Sequence, residues 1–207
     1  MTAGLLHELR DPLFALKAQV QLLRLQGHDE LAALDTPIAD LEALVEFYGS
    51  FGQGRAEPVL VDLGSEVRHS LTALGSAAKR RRVRLTVDLA PVRSVVRVRP
   101  VAARQVLVNL VRNALDAVEG QPDAQVWVRT RRTDDAAELE VCDNGTGMPT
   151  EVRDRAFEPW VTTKGERGSG LGLYLTRSLL AEAGGTIELL AADEGGTRVQ
   201  VTWPVAT

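Results

Sequence analysis

The sequence predicts an α+β protein in which a helical hairpin, forming a dimeric four-helix bundle, precedes an α/β sandwich with a mixed sheet. Three observations support this prediction. Apolar residues recur at alternating spacings of three and four over the first 48 positions, and strand-like and helix-like patterns are interleaved after position 58. A glycine-rich stretch at 49–54, followed by Pro58, separates the two patterns and is typical of a linker. We therefore predict two domains, residues 1–52 and 58–207.

The first domain shows two apolar seams of the kind that coiled-coil helices bury. A turn-like stretch at 26–29 lies between the seams and predicts antiparallel neighbours. Two helices cannot enclose a core alone, so we expect a homodimer. Pro12 and Pro37 each predict a kink or a local boundary, and Asp35-Thr36 could instead cap a helix that starts at Pro37. The seams are Leu6, Leu9, Leu13, Leu16, Val20 and Leu23, then Leu31, Leu34, Ile38, Leu41, Val45 and Tyr48.

The second domain mixes two periodicities. Alternating apolar and polar residues predict strands at 83–89, 126–128, 139–141, 186–190 and 197–203, the last two closing around Gly195-Gly196. Helical periods are found at about 63–78, 101–119 and 171–183. Because strands and helices alternate irregularly, we predict a mixed sheet with helices on one face.

The composition is that of a globular protein and argues against several classes of function. Hydrophobic residues make up 44% of the 207 positions and charged residues 25%, both ordinary fractions. The 24 basic and 28 acidic residues give a net charge of −4, so no overall positive field indicates nucleic-acid binding. No apolar run reaches the roughly 18 residues of a membrane span, and we expect no membrane contact from this chain. The single cysteine, Cys142, excludes an intramolecular disulfide and fits a cytoplasmic location.

Three features of the second domain converge on an anionic ligand. The segment 143–148, Asp-Asn-Gly-Thr-Gly-Met, directly follows a predicted strand, and Gly168–Leu173 opens a predicted helix whose free amides could bind phosphate. Asn109 and Asn113 are four residues apart and share one helix face, where carboxamide oxygens suit Mg²⁺. Taken singly, a tight turn, a common glycine-rich loop and a polar helix face would account for them. Between the glycine segments, residues 156–165 predict a loop with an aromatic anchor and a cationic tip.

These segments resemble a known family when they are taken in order. Residues 109–114, 143–148, 157–159 and 168–172 look like the four nucleotide-binding boxes of the GHKL (Bergerat-type) ATPases, in the form found in sensor histidine kinases. The stretch from Phe157 to Lys164 is similar to the nitrogen-regulation branch, and His7-Glu8-Leu9-Arg10-Asp11-Pro12-Leu13 resembles the histidine box of such kinases. The resemblance covers nearly the whole chain.

The resemblance implies a role for each matching residue. His7 would be the phosphoacceptor and Glu8 its general base; His7 follows the seam residue Leu6, so we expect it to face away from the bundle core. Asp143 would contact the adenine amino group, helped by Thr197. Asn109 would ligate Mg²⁺, and Asn113 would lie near the metal and the phosphates. The other ATP-binding positions that the resemblance implies are Gly145, Gly147, Lys164, Gly168, Gly170, Leu171 and Gly172.

The function predicted is that of a two-component sensor histidine kinase core. It would phosphorylate His7 from ATP·Mg²⁺ and pass the phosphoryl group to an aspartate in the receiver domain of a response regulator. Two alternatives are a GHKL ATPase of another type and a catalytically degenerate, nucleotide-gated dimerisation scaffold. The histidine box opposes the first, and intact Asn109 and Asp143 count against the second. The three hypotheses differ in whether phosphate ends on His7, in solution or nowhere.

Several residues depart from the family pattern or stay ambiguous. Asp11 stands where relatives commonly have asparagine or threonine, and its charge predicts weak phosphatase activity toward the partner. Arg99-Pro100 stands where relatives often have an aspartate. The basic run at 79–99 predicts a solvated face, or alternatively docking against the acidic hairpin. Since only six residues precede His7, we expect either a catalytic fragment or a kinase whose input comes from another protein. His28 and His69 have no partner pattern, and we expect both at the surface.

Overall fold

The structure is a computed structural model that describes most of the chain. For residues 2–11, 32 and 33 the structure describes the backbone and not the side chains. Of the predicted linker, residues 49–54 lie outside the described set, whereas Pro58 directly precedes a strand. The residues described are 2–34, 37, 38, 41, 45, 57–165, 168, 170–192 and 195–206.

The chain divides into two compact units. The first comprises Met1–Ala56 together with Glu158–Gly172, and the second comprises Glu57–Phe157 together with Leu173–Thr207. The segment 158–172 therefore groups with the N-terminal residues, although it interrupts the second unit in sequence. None of the helices in the described part of the chain combines the length and apolar character needed to cross a bilayer.

The first unit begins with a long helix, α1 (Thr2–Leu25), as the first seam predicts. The helix continues through Pro12, so a boundary at that residue is wrong; one proline removes a single backbone hydrogen bond, and the flanking turns remain paired. Gly27 ends the helix with a φ of 99°, and its amide donates to the Arg24 carbonyl at 3.0 Å. The predicted turn at 26–29 thus has the glycine that a left-handed residue requires.

The second seam is only partly α-helical. Leu31 and Leu34 lie in a 3₁₀ helix (Asp29–Leu34), so the prediction of a continuous α-helix from Leu31 is wrong. Pro37 has no amide hydrogen to bond the carbonyl of residue 33, which prevents an unbroken α-helical ladder across this point. Pro37, Ile38, Leu41 and Val45 are helical, and Tyr48 lies outside the described residues.

The seams are half covered within one chain. Val20, Ile38 and Val45 are buried, with at most 9% of their surface exposed. Leu16, Leu34 and Leu41 lie on the same predicted seams and remain 40–48% exposed. Part of the apolar surface of the hairpin is therefore left open to solvent.

The second unit contains two sheets, and it confirms the predicted strands and helices with small shifts of their ends. The elements after residue 57 are, in chain order, β1 (Val59–Asp62), α2 (Leu63–Arg80), β2 (Arg84–Asp88), β3 (Val95–Val98), α3 (Pro100–Ala117), β4 (Gln125–Arg132), β5 (Ala136–Asp143), α4 (Thr150–Arg153), α5 (Gly172–Glu182), β6 (Thr186–Ala191) and β7 (Thr197–Pro204).

The main sheet has five strands in the order β2-β4-β5-β7-β6. The β2–β4 pair is parallel and the other pairs are antiparallel, which confirms the predicted mixed sheet. Burial alternates along the strands, and α3 packs on β4 and β5. The inward side chains include Val126 and Val128 of β4, Leu139 and Val141 of β5, and Val199, Val201 and Trp203 of β7.

A second, two-stranded sheet was not predicted from the sequence. Strands β1 and β3 pair antiparallel, with Val59 opposite Val98 and Asp62 opposite Val95. Each strand has only four residues, and β3 lies inside the basic run at 79–99. At least four basic residues of that run make contacts within the second unit: Arg81 with Asp116, Arg93 with Asp62, Arg97 with the Pro58 carbonyl and Arg99 with Glu182.

Helix α3 is held to its neighbours by apolar contacts and by ion pairs. Its inward face is fully buried, including Val106, Leu110 and Val111. Arg104 donates to the largely buried carboxylate of Glu66 on α2, with Nε and Oε1 2.6 Å apart. Arg99, at the N-terminal end of α3, pairs with Glu182 at the C-terminal end of α5. This contact gives Arg99 a structural role at a position where the sequence suggested none.

We expect Arg104→Met to lower the free energy of unfolding by about 2 kcal/mol, since it leaves the Glu66 carboxylate buried without its charged donor. Urea unfolding followed by tryptophan fluorescence measures the change, because Trp203 is 1% exposed in the folded state. Arg112→Met on the same helix is the matched control, since Arg112 is exposed. Equal losses in the two variants would contradict a specific role for the Glu66 pair.

Candidate functional site

Asp143 is the last residue of β5, and its carboxylate is bound by two backbone amides. Oδ1 accepts from the Gly145 amide at 2.9 Å and from the Thr197 amide at 3.2 Å. The residue is 4% exposed. Because both donors bind the same oxygen, the plane of the carboxylate is fixed and Oδ2 is held in a defined direction. The structure thus joins three residues that the sequence predicted for one site.

The protonation of Asp143 is set by opposing effects. Burial raises the pKa of the carboxyl group above its usual value, and the amides of Gly145 and Thr197 lower it in part. The net result is a raised pKa. An ionised carboxylate in such a place gains by accepting a hydrogen bond from an external donor, such as an amino group, since water is largely excluded.

Two glycines allow three chain segments to meet around Asp143. A Cβ atom on Gly145 would lie 2.6 Å from the Ala117 carbonyl oxygen, at the end of α3. Gly196, in the β6–β7 hairpin, has a φ of 85°, and a Cβ there would overlap the Asp143 carbonyl oxygen. Sequence reasoning assigned Gly196 only to a turn. Its position directly before Thr197, a predicted site residue, was the available signal.

Asn109 and Asn113 lie on α3, one turn apart, as predicted. Both are half-buried. The Asn109 side chain donates from Nδ2 to Oγ1 of Thr176 on α5, 2.7 Å away. Thr176 is 1% exposed and was not predicted as a site residue, because nothing in the sequence joins positions 67 residues apart. One turn beyond Asn113, Asp116 is paired with Arg81 at 2.5 Å.

The residues of α3 suit a magnesium ion that is held mainly by phosphate and water. Within the described residues there is no cluster of three His, Cys, Asp or Glu side chains placed to bind a metal. Mg²⁺ commonly takes only one or two protein oxygens and completes its shell with substrate phosphates and water. With Nδ2 of Asn109 bound to Thr176, Oδ1 is the atom of this carboxamide that is suited to such a ligand role.

The first part of the 157–164 motif is anchored on α5. The guanidinium carbon of Arg177 lies 5.4 Å from the centre of the Phe157 ring, which is within the range of a cation–π contact. Phe157 was predicted from its motif, whereas no feature of the sequence predicted its contact with Arg177. This contact fixes the point at which the chain leaves the second unit.

The segment 158–172 closes on itself. The amide of Trp160 donates to the Gly170 carbonyl at 3.1 Å, and a Cβ on Gly170 would overlap the backbone of Trp160. Trp160 has a φ of 70°, which is unusual for a bulky residue, and is 68% exposed. Lys164 lies within this closed segment, and its amide donates to Thr162 Oγ1 at 3.0 Å. Leu171 is buried, and α5 begins at Gly172, close to the predicted start at 171.

The histidines divide into two groups. His7 lies on α1 with Glu8 and Asp11, and the side chains of these three residues are outside the described set. His28 and His69 are exposed, as predicted, and their side chains contact the Glu30 carboxylate and the Ser65 carbonyl, respectively.

Comparison with known proteins supports the resemblance seen in the sequence. Residues 98–207 match the family described as histidine kinase-, DNA gyrase B- and HSP90-like ATPase. The two-component sensor PprA of Pseudomonas aeruginosa is 32% identical over 224 residues, covering 100% of this chain and 24% of PprA. The sensory histidine kinase/phosphatase NtrB of Rhizobium leguminosarum is 30% identical over 207 residues, covering 91% of this chain and 54% of NtrB.

A solved structure shows a similar fold. Full-length ShkA in complex with AMPPNP superposes with a TM-score of 0.74 at 24% identity, over 100% of this chain and 46% of ShkA. The chain spans between about a quarter and a half of the length of these proteins. The predicted GHKL fold and the resemblance to sensor kinases, including the nitrogen-regulation branch, are confirmed. The chain belongs to the histidine kinase-, DNA gyrase B- and HSP90-like ATPase family.

Proposed function

We propose that the chain is the kinase core of a two-component sensor, which transfers the γ-phosphoryl group of ATP to His7 and then to an aspartate of a response regulator. The observation that carries the proposal is the buried Asp143 carboxylate, fixed by the amides of Gly145 and Thr197 at the end of α3. Relatives that match over nearly all of this chain are named sensors of two-component systems or histidine kinases.

ATP is the proposed nucleotide because a fixed, desolvated carboxylate suits the amino group of adenine. Asp143 would accept that hydrogen bond through Oδ2 while Oδ1 stays bound to the protein. Gly145 and Gly147 would shape the pocket for the base by letting backbone segments approach closely, since a Cβ atom on Gly145 would lie 2.6 Å from the Ala117 carbonyl oxygen. The AMPPNP that was crystallised with ShkA is an ATP analogue, which fits the same assignment.

Mg²⁺ would be held by Oδ1 of Asn109, with Asn113 near the metal and the phosphates. Bound there, the ion would neutralise phosphate charge that builds up during transfer. We further propose that the segment containing Gly168, Gly170, Leu171 and Gly172, with Lys164, meets the phosphates. Its position before the N-terminus of α5 supports this, because the dipole of a helix favours anions at that end.

The transfer itself needs a neutral imidazole and a base. A ring nitrogen of His7 would form a bond to the γ-phosphorus as the bond between that phosphorus and the leaving oxygen of ADP breaks. Glu8 would accept the ring proton that is released. In the second step a receiver-domain aspartate attacks the same phosphorus, the nitrogen–phosphorus bond breaks, and an acyl phosphate forms on the partner. This ATP-dependent chemistry and the single free cysteine fit a reducing cytoplasm.

The hairpin has two apolar surfaces, for which we propose two partners. The exposed seam residues, including Leu16, Leu34 and Leu41, would be buried by a second copy of the chain in a four-helix bundle. Phe14, Leu22 and Leu25 are 56–87% exposed and lie at outer heptad positions, which a bundle does not cover. Since Phe14 follows His7 by one heptad, this outer surface would dock the receiver domain beside the phosphoacceptor.

We expect labelled γ-phosphate from ATP·Mg²⁺ to be found on the wild-type protein and not on His7→Gln, in a form that is labile to acid and stable to base. His28→Gln is the matched control and should label normally, because the His28 side chain is exposed and contacts the nearby Glu30. Autoradiography of gels, together with a free-phosphate assay, measures the result. Free phosphate without labelled protein would indicate an ATPase of another type, and nucleotide binding with neither product would indicate a scaffold.

We expect the affinity for Mg·ADP to fall at acidic pH. Because Oδ1 of Asp143 accepts from two amides, protonation would fall on Oδ2 and present a hydroxyl donor, in place of an acceptor, to the adenine amino group. Below the raised pKa of Asp143 the Kd should increase about tenfold per pH unit. Because the pKa of Asp143 is higher in the folded state, protonation of this residue stabilises the folded state as the pH falls. A loss of binding at acidic pH therefore cannot be attributed to unfolding caused by the titration of Asp143.

Calorimetric titration between about pH 5 and pH 8 checks this pH dependence. Asp143→Asn is the control, since its side-chain oxygen can still accept from Gly145 and Thr197 but does not ionise. The variant should bind Mg·ADP more weakly at neutral pH, and its Kd should not increase further at acidic pH (the acidic limb of the wild-type curve). An identical acidic limb in wild type and variant would assign the titration to another group.

We expect Asp11→Asn to increase dephosphorylation of the phosphorylated receiver domain by about tenfold, corresponding to removal of about 1.4 kcal/mol of charge repulsion. Asp11 is four residues after His7 on α1, so both lie on one side of the helix. Loss of label from purified phospho-receiver is the measurement, and Asp29→Asn in the 3₁₀ helix is the control. An unchanged rate would show that the charge of Asp11 does not limit phosphatase activity.

A further inference from the structure

The contact between Asn109 and Thr176 bridges two helices in the interior of the second unit. Asn109 Nδ2 and Thr176 Oγ1 are 2.7 Å apart, and Thr176 is 1% exposed. The neighbouring positions of α5 are apolar and buried, including Leu175, Leu179 and Leu180. A hydroxyl in such a row costs free energy unless it is hydrogen-bonded, which makes the contact with Asn109 a specific one.

The contact determines which end of the Asn109 carboxamide is available to a cation. A carboxamide has one donor end, the NH₂ group, and one acceptor end, the oxygen; only the oxygen binds Mg²⁺. When the NH₂ group is engaged by Thr176, the carboxamide is held against rotation about its terminal bond. The oxygen is then directed away from α5 without further ordering when a ligand binds.

The helical position of Thr176 favours this direction of donation. Threonine and serine hydroxyls in helices commonly donate to a carbonyl one turn earlier, as Ser178 Oγ does to the Tyr174 carbonyl at 3.0 Å in the same helix. A hydroxyl that donates within its own helix offers only lone pairs to a neighbour. Such a hydroxyl accepts from Nδ2 of Asn109 and does not compete for its oxygen.

A second polar contact fixes the same pair of helices. Arg99 at the start of α3 pairs with Glu182 at the end of α5, while Asn109 in the middle of α3 meets Thr176 near the start of α5. The two helices therefore run antiparallel, with an ion pair at one end and the Asn109–Thr176 bond near the other. The ion pair provides a control that loosens the helix pair and leaves the carboxamide in place.

We infer that Thr176 is a positioning residue for magnesium: its hydroxyl orients the Asn109 carboxamide so that Oδ1 is presented to the ion that accompanies the nucleotide. The inference rests on the proposed function, which makes Asn109 the magnesium ligand. In addition, the contact between Asn109 and Thr176 sets the affinity for the metal. The affinity of the adenine base for the pocket around Asp143 does not depend on this contact.

The test measures binding of ADP to the 207-residue protein by calorimetry, in EDTA and over a Mg²⁺ titration. We expect Thr176→Val, which keeps the shape and removes the hydroxyl, to raise the half-saturating Mg²⁺ concentration about tenfold, as is typical for partners that orient metal ligands. Its affinity for ADP in EDTA should stay that of the wild type. Thr176→Ser should behave as wild type, because the hydroxyl is restored, and so should Glu182→Gln. Asn109→Ala should lose the Mg²⁺ effect, which is the increase in affinity for ADP that Mg²⁺ causes in the wild type.

Each other outcome is decisive. If Asn109→Ala loses the Mg²⁺ effect and Thr176→Val keeps it unchanged, the inference about Thr176 is wrong and the proposed metal ligand stands. If Asn109→Ala keeps the wild-type Mg²⁺ effect, the proposed ligand itself is wrong, and the inference falls with it. Equal weakening by Thr176→Val with and without Mg²⁺ would indicate a packing role and would also overturn the inference. If Thr176→Val does not fold, Thr176→Ala takes its place with the same controls.

Discussion

The arrangement of the second unit depends on the hydrogen bonds that the desolvated carboxylate of Asp143 accepts. A buried carboxylate must have donors, and here they come from two segments that are distant in sequence, Gly145 and Thr197. Meeting that requirement brings the end of β5 against the β6–β7 hairpin. The packing of Gly145 on Ala117 then adds the end of α3. The same two hydrogen bonds thus satisfy the buried carboxylate and join the segments that surround it.

Helix α3 connects the segments around Asp143 to the rest of the second unit through its packing and its polar contacts. Its apolar face is buried on β4 and β5, and its polar residues each meet a different neighbour: Glu66 of α2 through Arg104, and Thr176 of α5 through Asn109. The helix is therefore fixed in rotation as well as in position. For the proposed kinase, this matters because magnesium must be held by side chains whose direction is set before the nucleotide binds.

Sequence reasoning succeeded where the signal is local and periodic, and it failed where a contact joins distant positions. The strands of the main sheet and the helices α2, α3 and α5 follow from the spacing of their own apolar residues. By contrast, β1 and β3 have four residues each and stabilise one another across more than 30 positions. Thr176 gains its role only from Asn109, 67 residues away, so no pattern within its own segment could identify it. For Gly196, the one signal is its place directly before Thr197. Leu31 and Leu34 show the opposite case, since a clear heptad pattern was overridden by the missing amide of Pro37.

Among the described residues, the core of the second unit is buried more completely than the apolar seams of the hairpin, and the difference fits the proposed division of labour. The second unit encloses its inward residues almost fully; Val96, Val111, Val126 and Val201 are 0% exposed. The hairpin leaves Leu16 and Leu41 more than 40% exposed on its seams. A nucleotide site needs fixed side chains, which a closed core supplies, whereas a phosphoacceptor helix that serves both a second copy and a receiver domain needs surfaces that remain available. A closed core in the second unit and open seam positions in the hairpin are therefore what a kinase core assembled from a catalytic unit and an association unit would require.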